Sequence, residues 1–197
     1  MTDSSVVERA IIAAADLFSR GASVLVACSG GADSVALAAG LARCAGALGV
    51  HVAVGHVDHA LRADSARDAE RVRSIARRLD LPFHVVRLES LDTSRLGLEA
   101  AAREERYRAL ASLARAAGAD LVATAHTRRD QAETVLLRLA RGGGPGALAA
   151  IRRVRPLDDR VLLVRPRASG RRRYALGRHR SCAAPVDATT SLPGRSA

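Results

Sequence analysis

The stretch Val24-Leu25-Val26-Ala27-Cys28-Ser29-Gly30-Gly31-Ala32-Asp33-Ser34 decides the fold. Val24 to Cys28 is an apolar run with β-branched residues, long enough for a buried strand and too short for a helix of its own. Ser29 ends it, Gly30 and Gly31 let the backbone turn, and Ala32 to Ala39 is a good helix former. Strand, turn and helix start are therefore consecutive. The backbone N–H groups of such a turn converge on one point, and the helix dipole adds partial positive charge there, which suits a phosphate. Asp33 is the informative oddity, because a carboxylate beside a phosphate repels it unless a divalent cation, Mg²⁺, is held between the two. The plain alternative is an ordinary strand-to-helix turn with Asp33 as a helix-start residue. The string is not a Walker A loop, since the chain contains no lysine, and it is not Gly-x-Gly-x-x-Gly.

At 197 residues and 48% hydrophobic, the chain can build one domain with a sizeable core, or one domain with an appendage. All 31 basic residues are arginine and asparagine is also absent, a pattern of GC-rich coding that weakens the net charge of +11 as a sign of nucleic acid. Its distribution says more: from Arg165 onward there are eight arginines against one acid, Asp187, a net of +7 that leaves +4 for the first 164 residues. The chain reads as a mildly basic domain, residues 1–166, followed by an arginine-rich tail, residues 167–197, expected to be disordered. Cys28, Cys44 and Cys182 are far apart and form no Cys-x-x-Cys, which disfavours a metal cluster or a disulfide framework. No signal peptide or membrane span is legible, so a cytoplasmic protein with no membrane partner is expected.

Residues 6–20 are predicted as an amphipathic helix ended by Gly21. Helices are expected at 35–48, 65–79, 99–117 and 130–140, and strands at 24–28, 50–57, 83–88, 121–125 and 161–164. This alternation predicts an α/β fold: a doubly wound, mainly parallel five-stranded sheet of Rossmann-like type with helices on both faces. Ligands of such sheets sit beyond the carboxyl ends of the strands, where strand order reverses. Three polar clusters fall at those ends: Ser29 to Ser34, His56 to His59, and His126 to Thr134.

Each later cluster has a bland reading as well. His56-Val57-Asp58-His59-Ala60-Leu61-Arg62 is a metal pair, a surface loop or a pair of satisfied core histidines. In His126-Thr127-Arg128-Arg129-Asp130-Gln131-Ala132-Glu133-Thr134, Asp130 and Glu133 lie three apart at a helix start, where the dipole favours negative charge, and simple capping also explains them. Between them, Arg103 and Arg106 are one turn apart, and their guanidinium forks suit phosphate or a salt-bridged helix surface.

Ser-Gly-Gly-Ala-Asp-Ser resembles the pyrophosphate-binding loop of the N-type ATP pyrophosphatases, which split ATP between the α and β phosphates. With His-Val-Asp-His-Ala-Leu-Arg, Glu-Ala-Ala-Ala-Arg-Glu-Glu-Arg-Tyr and Ala-His-Thr-x-x-Asp-Gln-Ala-Glu-Thr in this order, residues 20–166 resemble the tRNA(Ile)-lysidine synthetase family. That resemblance implies an adenine nucleotide alpha hydrolase-like fold and a ligase that adenylates C2 of the wobble cytidine in the tRNA(Ile) anticodon. Free L-lysine then displaces AMP to give lysidine. It further implies that Ser29, Gly30, Gly31, Ala32, Asp33 and Ser34 bind the ATP phosphates and that Asp33 holds Mg²⁺. His56, Asp58 and His126 would line the nucleotide site; Arg103, Arg106, Asp130 and Glu133 would shape the ATP and cytidine pocket, with Asp33, Arg103, Arg106 and Asp130 closest to the chemistry. A homodimer is among the assemblies left open. The family has two consecutive acids where this chain has Arg129-Asp130, which reverses one charge at the mouth of the site.

The likeness stops after Val164-Arg165-Pro166, where apolar periodicity is lost and the family's C-terminal tRNA-binding parts are expected to be missing. A frameshift in a GC-rich gene accounts for the tail, and a genuine arginine-rich RNA-binding extension is the alternative. A catalytically impaired nucleotide- or RNA-binding remnant, or another adenylating enzyme of the superfamily, are the competing functions.

Overall fold

The computed structural model describes residues 3–58, 65–88, 98–126 and 152–166. In chain order these form α1 (Asp3–Ile12), a 3-10 turn (Ala15–Leu17), β1 (Ser23–Ala27), α2 (Ala32–Leu48), β2 (His51–Asp58), α3 (Ser65–Arg78), β3 (Phe83–Arg87), α4 (Leu98–Ala116), β4 (Leu121–Ala123), β5 (Val154–Pro156) and β6 (Leu162–Val164). The strands form one sheet in the order β3-β2-β1-β4-β6-β5. All neighbours pair in parallel except β5 with β6. Chain order reverses between β1 and β4, which lie side by side with Val24 opposite Leu121. The expected helix over 130–140 and the tail over 167–197 lie outside the described residues.

Both faces of the sheet are covered, and the alternation of side chains along each strand sorts the core into two layers. Val24, Val26 and Cys28 join Val52 and Val54 on one face, packed with Val7 and Ile11 of α1, Leu37 and Leu41 of α2 and Val72 of α3. Leu25 and Val122 point the other way, with Tyr107, Leu110 and Leu113 of α4. A continuous apolar run such as Val24 to Cys28 is therefore what a strand buried on both sides requires. Gly55 of β2 faces Leu25 so closely that a Cβ there would lie 2.8 Å from its side chain.

The sheet has six strands where the sequence predicts five. The addition is β5, a three-residue segment at the edge of the sheet, paired antiparallel to β6 through Val154 and Val164. Pro156 lacks an amide hydrogen and is tolerated because only one side of an edge strand is bonded. The helix expected over 6–20 is also shorter: it ends at Ile12, and the chain tightens into the 3-10 turn. That change brings Leu17 and then Phe18 into the core, with Phe18 already extended toward β1.

Candidate functional site

The segment after β1 forms a turn and then the first turn of α2. Gly30 has φ +85°, a left-handed conformation that costs an L side chain about 1–2 kcal/mol, and Gly31 caps the helix with extended backbone. Ser29, Gly31, Ala32 and Asp33 are exposed, so the turn is accessible from outside the core. Beneath it, Ser34 is buried and saturated. Its hydroxyl donates to the Gly31 carbonyl at 2.8 Å and accepts the Ser29 amide at 3.2 Å. Ser29 Oγ lies 3.4 Å away and Cys28 Sγ 3.6 Å away. Of the six loop residues, Ser34 thus holds the shape of the turn, whereas Ser29, Gly31, Ala32 and Asp33 are exposed.

The carboxyl end of β2 lies beside this turn. His56 and Asp58 are both buried, at 5% and 7% exposure, and the alternation of β2 puts them on the face of Val52 and Val54. His56 Nδ1 donates to the Cys28 carbonyl at 2.8 Å. A carbonyl can only accept, which fixes a proton on Nδ1. Arg87 Nε approaches Asp58 at 3.9 Å from a side chain that is 70% exposed, a weak surface pairing.

At the end of β4, on the other side of β1, buried Thr124 continues the ladder by donating its amide to the Val164 carbonyl at 3.0 Å. Its hydroxyl meets His126 Nδ1 at 3.0 Å, which orients a half-buried imidazole at the point where strand order reverses. The turn and His126 accordingly follow the ends of β1 and β4, the two strands between which chain order reverses and where such sheets take ligands, with the β2 end one strand away. Arg106 is exposed on α4 and Arg103 falls on the same helix, its side chain outside the described residues. His59, Arg129, Asp130 and Glu133 also lie outside the described residues.

Among the described residues no group of three or more His, Cys, Asp or Glu could hold an ion. Asp33 in the first turn of α2 supplies one carboxylate beside a helix N-terminus, which fits an Mg²⁺ whose shell phosphate oxygens and water would complete. Cys44 offers no alternative, because burial first and Glu8 second push its thiol above the usual range and keep it protonated.

Two features of the site region escape a reading of the sequence. Thr124 is one of many threonines, and only its place beside His126 singles it out. Arg165 counts as the first arginine of the basic tail, yet it is 1% exposed. It donates to the Arg152 carbonyl at 2.6 Å and to Tyr107 Oη at 3.4 Å, while Arg155 stacks on the Tyr107 ring at 4.4 Å. The signal was available: Arg165 directly follows the buried run Val161 to Val164.

The chain is 48% identical to the tRNA(Ile)-lysidine synthase of Bradyrhizobium diazoefficiens over 145 residues, 73% of this chain and 40% of that protein. It is 51% identical to the enzyme of the same name from Salinispora tropica over 144 residues, 73% of this chain and 43% of that protein. The chain thus spans about two fifths of the length of the curated relatives it matches. Among solved structures, the U34-tRNA thiolase NcsA from Methanococcus maripaludis with its [4Fe-4S] cluster superposes with a TM-score of 0.67 at 16% identity, covering 83% of this chain and 58% of that one. At that identity the likeness is one of fold, and it includes the mostly parallel sheet and its helices. The PP-loop domain matches residues 4–174, a span that includes every described strand, and the chain belongs to that family.

Proposed function

We infer that this chain is the ATP-handling part of a tRNA(Ile)-lysidine synthase-type ligase. The observation that carries the reading is the exposed turn of Ser29 to Asp33 leading into the N-terminus of α2 at the reversal point of the sheet, in a chain about 50% identical to enzymes of that name. On this reading, ATP lies along the β1–β4 crevice with its phosphates against the amides of Gly30, Gly31 and Ala32 and its charge met by the α2 dipole. Ser29 adds a hydroxyl and Ser34 keeps the turn in shape. Mg²⁺, when bound with the nucleotide, would be held by Asp33 and would neutralise charge on the leaving pyrophosphate.

Asp58 and His126 border the nucleotide, and Arg103, Arg106, Asp130 and Glu133 position the cytidine, acting by orientation and charge more than by proton transfer. The reaction is adenylation of C2 of the wobble cytidine in tRNA(Ile), with pyrophosphate leaving, followed by attack of the amine of free lysine and release of AMP. Residues 1–166 form the ATP-handling unit, residues 167–197 add a basic extension, and the reaction belongs in the cytoplasm with tRNA. A thiolase chemistry is disfavoured by the sequence itself, whose three cysteines are widely separated, with Cys28 and Cys44 both buried.

The test is transfer of radiolabelled lysine to an isoleucine tRNA transcript by the purified chain with ATP and Mg²⁺. The reading predicts one AMP and one pyrophosphate for each labelled tRNA. Formation of ADP and phosphate, or ATP cleavage indifferent to tRNA, contradicts it.

A further inference from the structure

Cys28 is the last residue before the phosphate turn, and β2 holds it by both of its backbone polar groups. Its amide donates to the Gly55 carbonyl at 2.8 Å, which extends by one residue the parallel ladder that pairs Ala27 with Gly55. Its carbonyl accepts not from the main chain but from the His56 ring, Nδ1 at 2.8 Å. One residue later Ser29 is tied to the helix side of the turn through Ser34 Oγ at 3.2 Å, and at Gly30 the backbone swings into φ +85°. The place where the chain leaves the sheet is therefore held from the β2 side by one buried side-chain hydrogen bond, beside the main-chain bond of the Cys28 amide. A Cys28 carbonyl engaged in this way is also kept from turning toward an anion, whose oxygens it would repel.

We propose that His56 is a positioning residue for the phosphate turn: it acts through the Cys28 carbonyl and Nδ1, and does not itself contact the nucleotide. This rests on the reading that the turn receives the phosphates of ATP, and it replaces the expectation that the His56 ring lines the nucleotide site. The imidazole is the fitting side chain because it is rigid and carries its donor close to its own backbone, so that a residue buried to 95% can reach a carbonyl on the adjacent strand.

Two isosteres separate the ring nitrogens. His56→Asn places an amide N–H near the position of Nδ1, His56→Gln places one near Nε2, and His56→Leu supplies neither. Two readouts apply to each variant: backbone amide hydrogen exchange at Ser29 to Ala32 without nucleotide, and calorimetric affinity for a nonhydrolysable ATP analogue with Mg²⁺. Loss of the bond in His56→Leu is expected to speed exchange at Ser29 and Gly30 about tenfold and to weaken the analogue about tenfold, the effect of one lost buried hydrogen bond. His56→Asn is expected to restore both to within about threefold, and His56→Gln neither. If His56→Leu fails to fold, the Asn and Gln pair decides alone. Rescue of affinity by Gln and not Asn, or exchange in the turn unchanged by any of the three, overturns the proposal. Failure of the ATP reading looks different: the analogue does not bind the unsubstituted chain, while exchange in the turn still follows the series.

Discussion

Ser34 closes the turn between β1 and α2 by donating its hydroxyl to the Gly31 carbonyl at 2.8 Å while accepting the Ser29 amide at 3.2 Å. One buried hydroxyl thus satisfies a donor and an acceptor on opposite sides of the same turn. Ser34→Ala leaves both without that partner and is expected to destabilise the chain by about 1–3 kcal/mol in urea unfolding, with weaker nucleotide binding as a consequence. An alanine variant with unchanged stability would show that the staple contributes nothing.

Neighbouring glycines in the turn are expected to behave differently. At Gly30 an added Cβ meets only Val72 at an ordinary 3.5 Å, but φ +85° strains any L residue, so Gly30→Ala is expected to cost about 1–2 kcal/mol of stability. At Gly31 the backbone is ordinary and a Cβ would lie 3.6 Å from Ser29 Oγ, so Gly31→Ala is expected to fold with stability within about 1 kcal/mol of the parent. Its methyl group stands on the exposed side of the turn, and affinity for an ATP analogue is expected to fall at least about tenfold. Thermal melts and calorimetry of the two variants check the contrast.

Asp33 is exposed in the first turn of α2. Asp33→Asn is expected to melt within a few degrees of the parent and to lower tRNA-dependent pyrophosphate release by about 100-fold or more. A variant with full activity would remove the carboxylate from the account.

Asp158, in the turn between β5 and β6, supplies a pH dependence. Burial opposes its ionisation, but the amides of Arg160 and Val161 and the Arg115 guanidinium outweigh burial and hold its pKa below the usual 3.8. A depressed carboxylate stabilises the fold at pH values above its unfolded pKa, and that contribution disappears as pH falls through the folded value. Asp158→Asn is therefore expected to cost up to about 1 kcal/mol at pH 7 and progressively less below pH 4. Urea unfolding of the pair at both pH values measures it, and a gap that widens in acid would contradict the assignment.

The parallel sheet was legible because its central strands β1 and β4 are buried on both faces and read as unbroken apolar runs, Val24 to Cys28 above all. The crevice was legible because polar clusters follow three of those runs. What the sequence hides is whatever depends on a partner distant in the chain. β5 is three residues with two-sided polarity and a proline, and it becomes a strand only because β6 lies beside it. Arg165 looks like a tail residue until Tyr107 and the Arg152 carbonyl close around it. His56 reads as a candidate ligand at a strand end, and only the 2.8 Å contact to Cys28 gives its ring a direction.

The central claim is that main-chain amides after β1 receive the phosphates of ATP. It is tested most directly by following the backbone amide resonances of Gly30, Gly31 and Ala32 while a nonhydrolysable ATP analogue is added with Mg²⁺. The account predicts saturable shifts at these three amides, the largest in the chain, and their loss when inorganic pyrophosphate competes. Saturable binding that leaves the three unmoved and shifts amides elsewhere would contradict it.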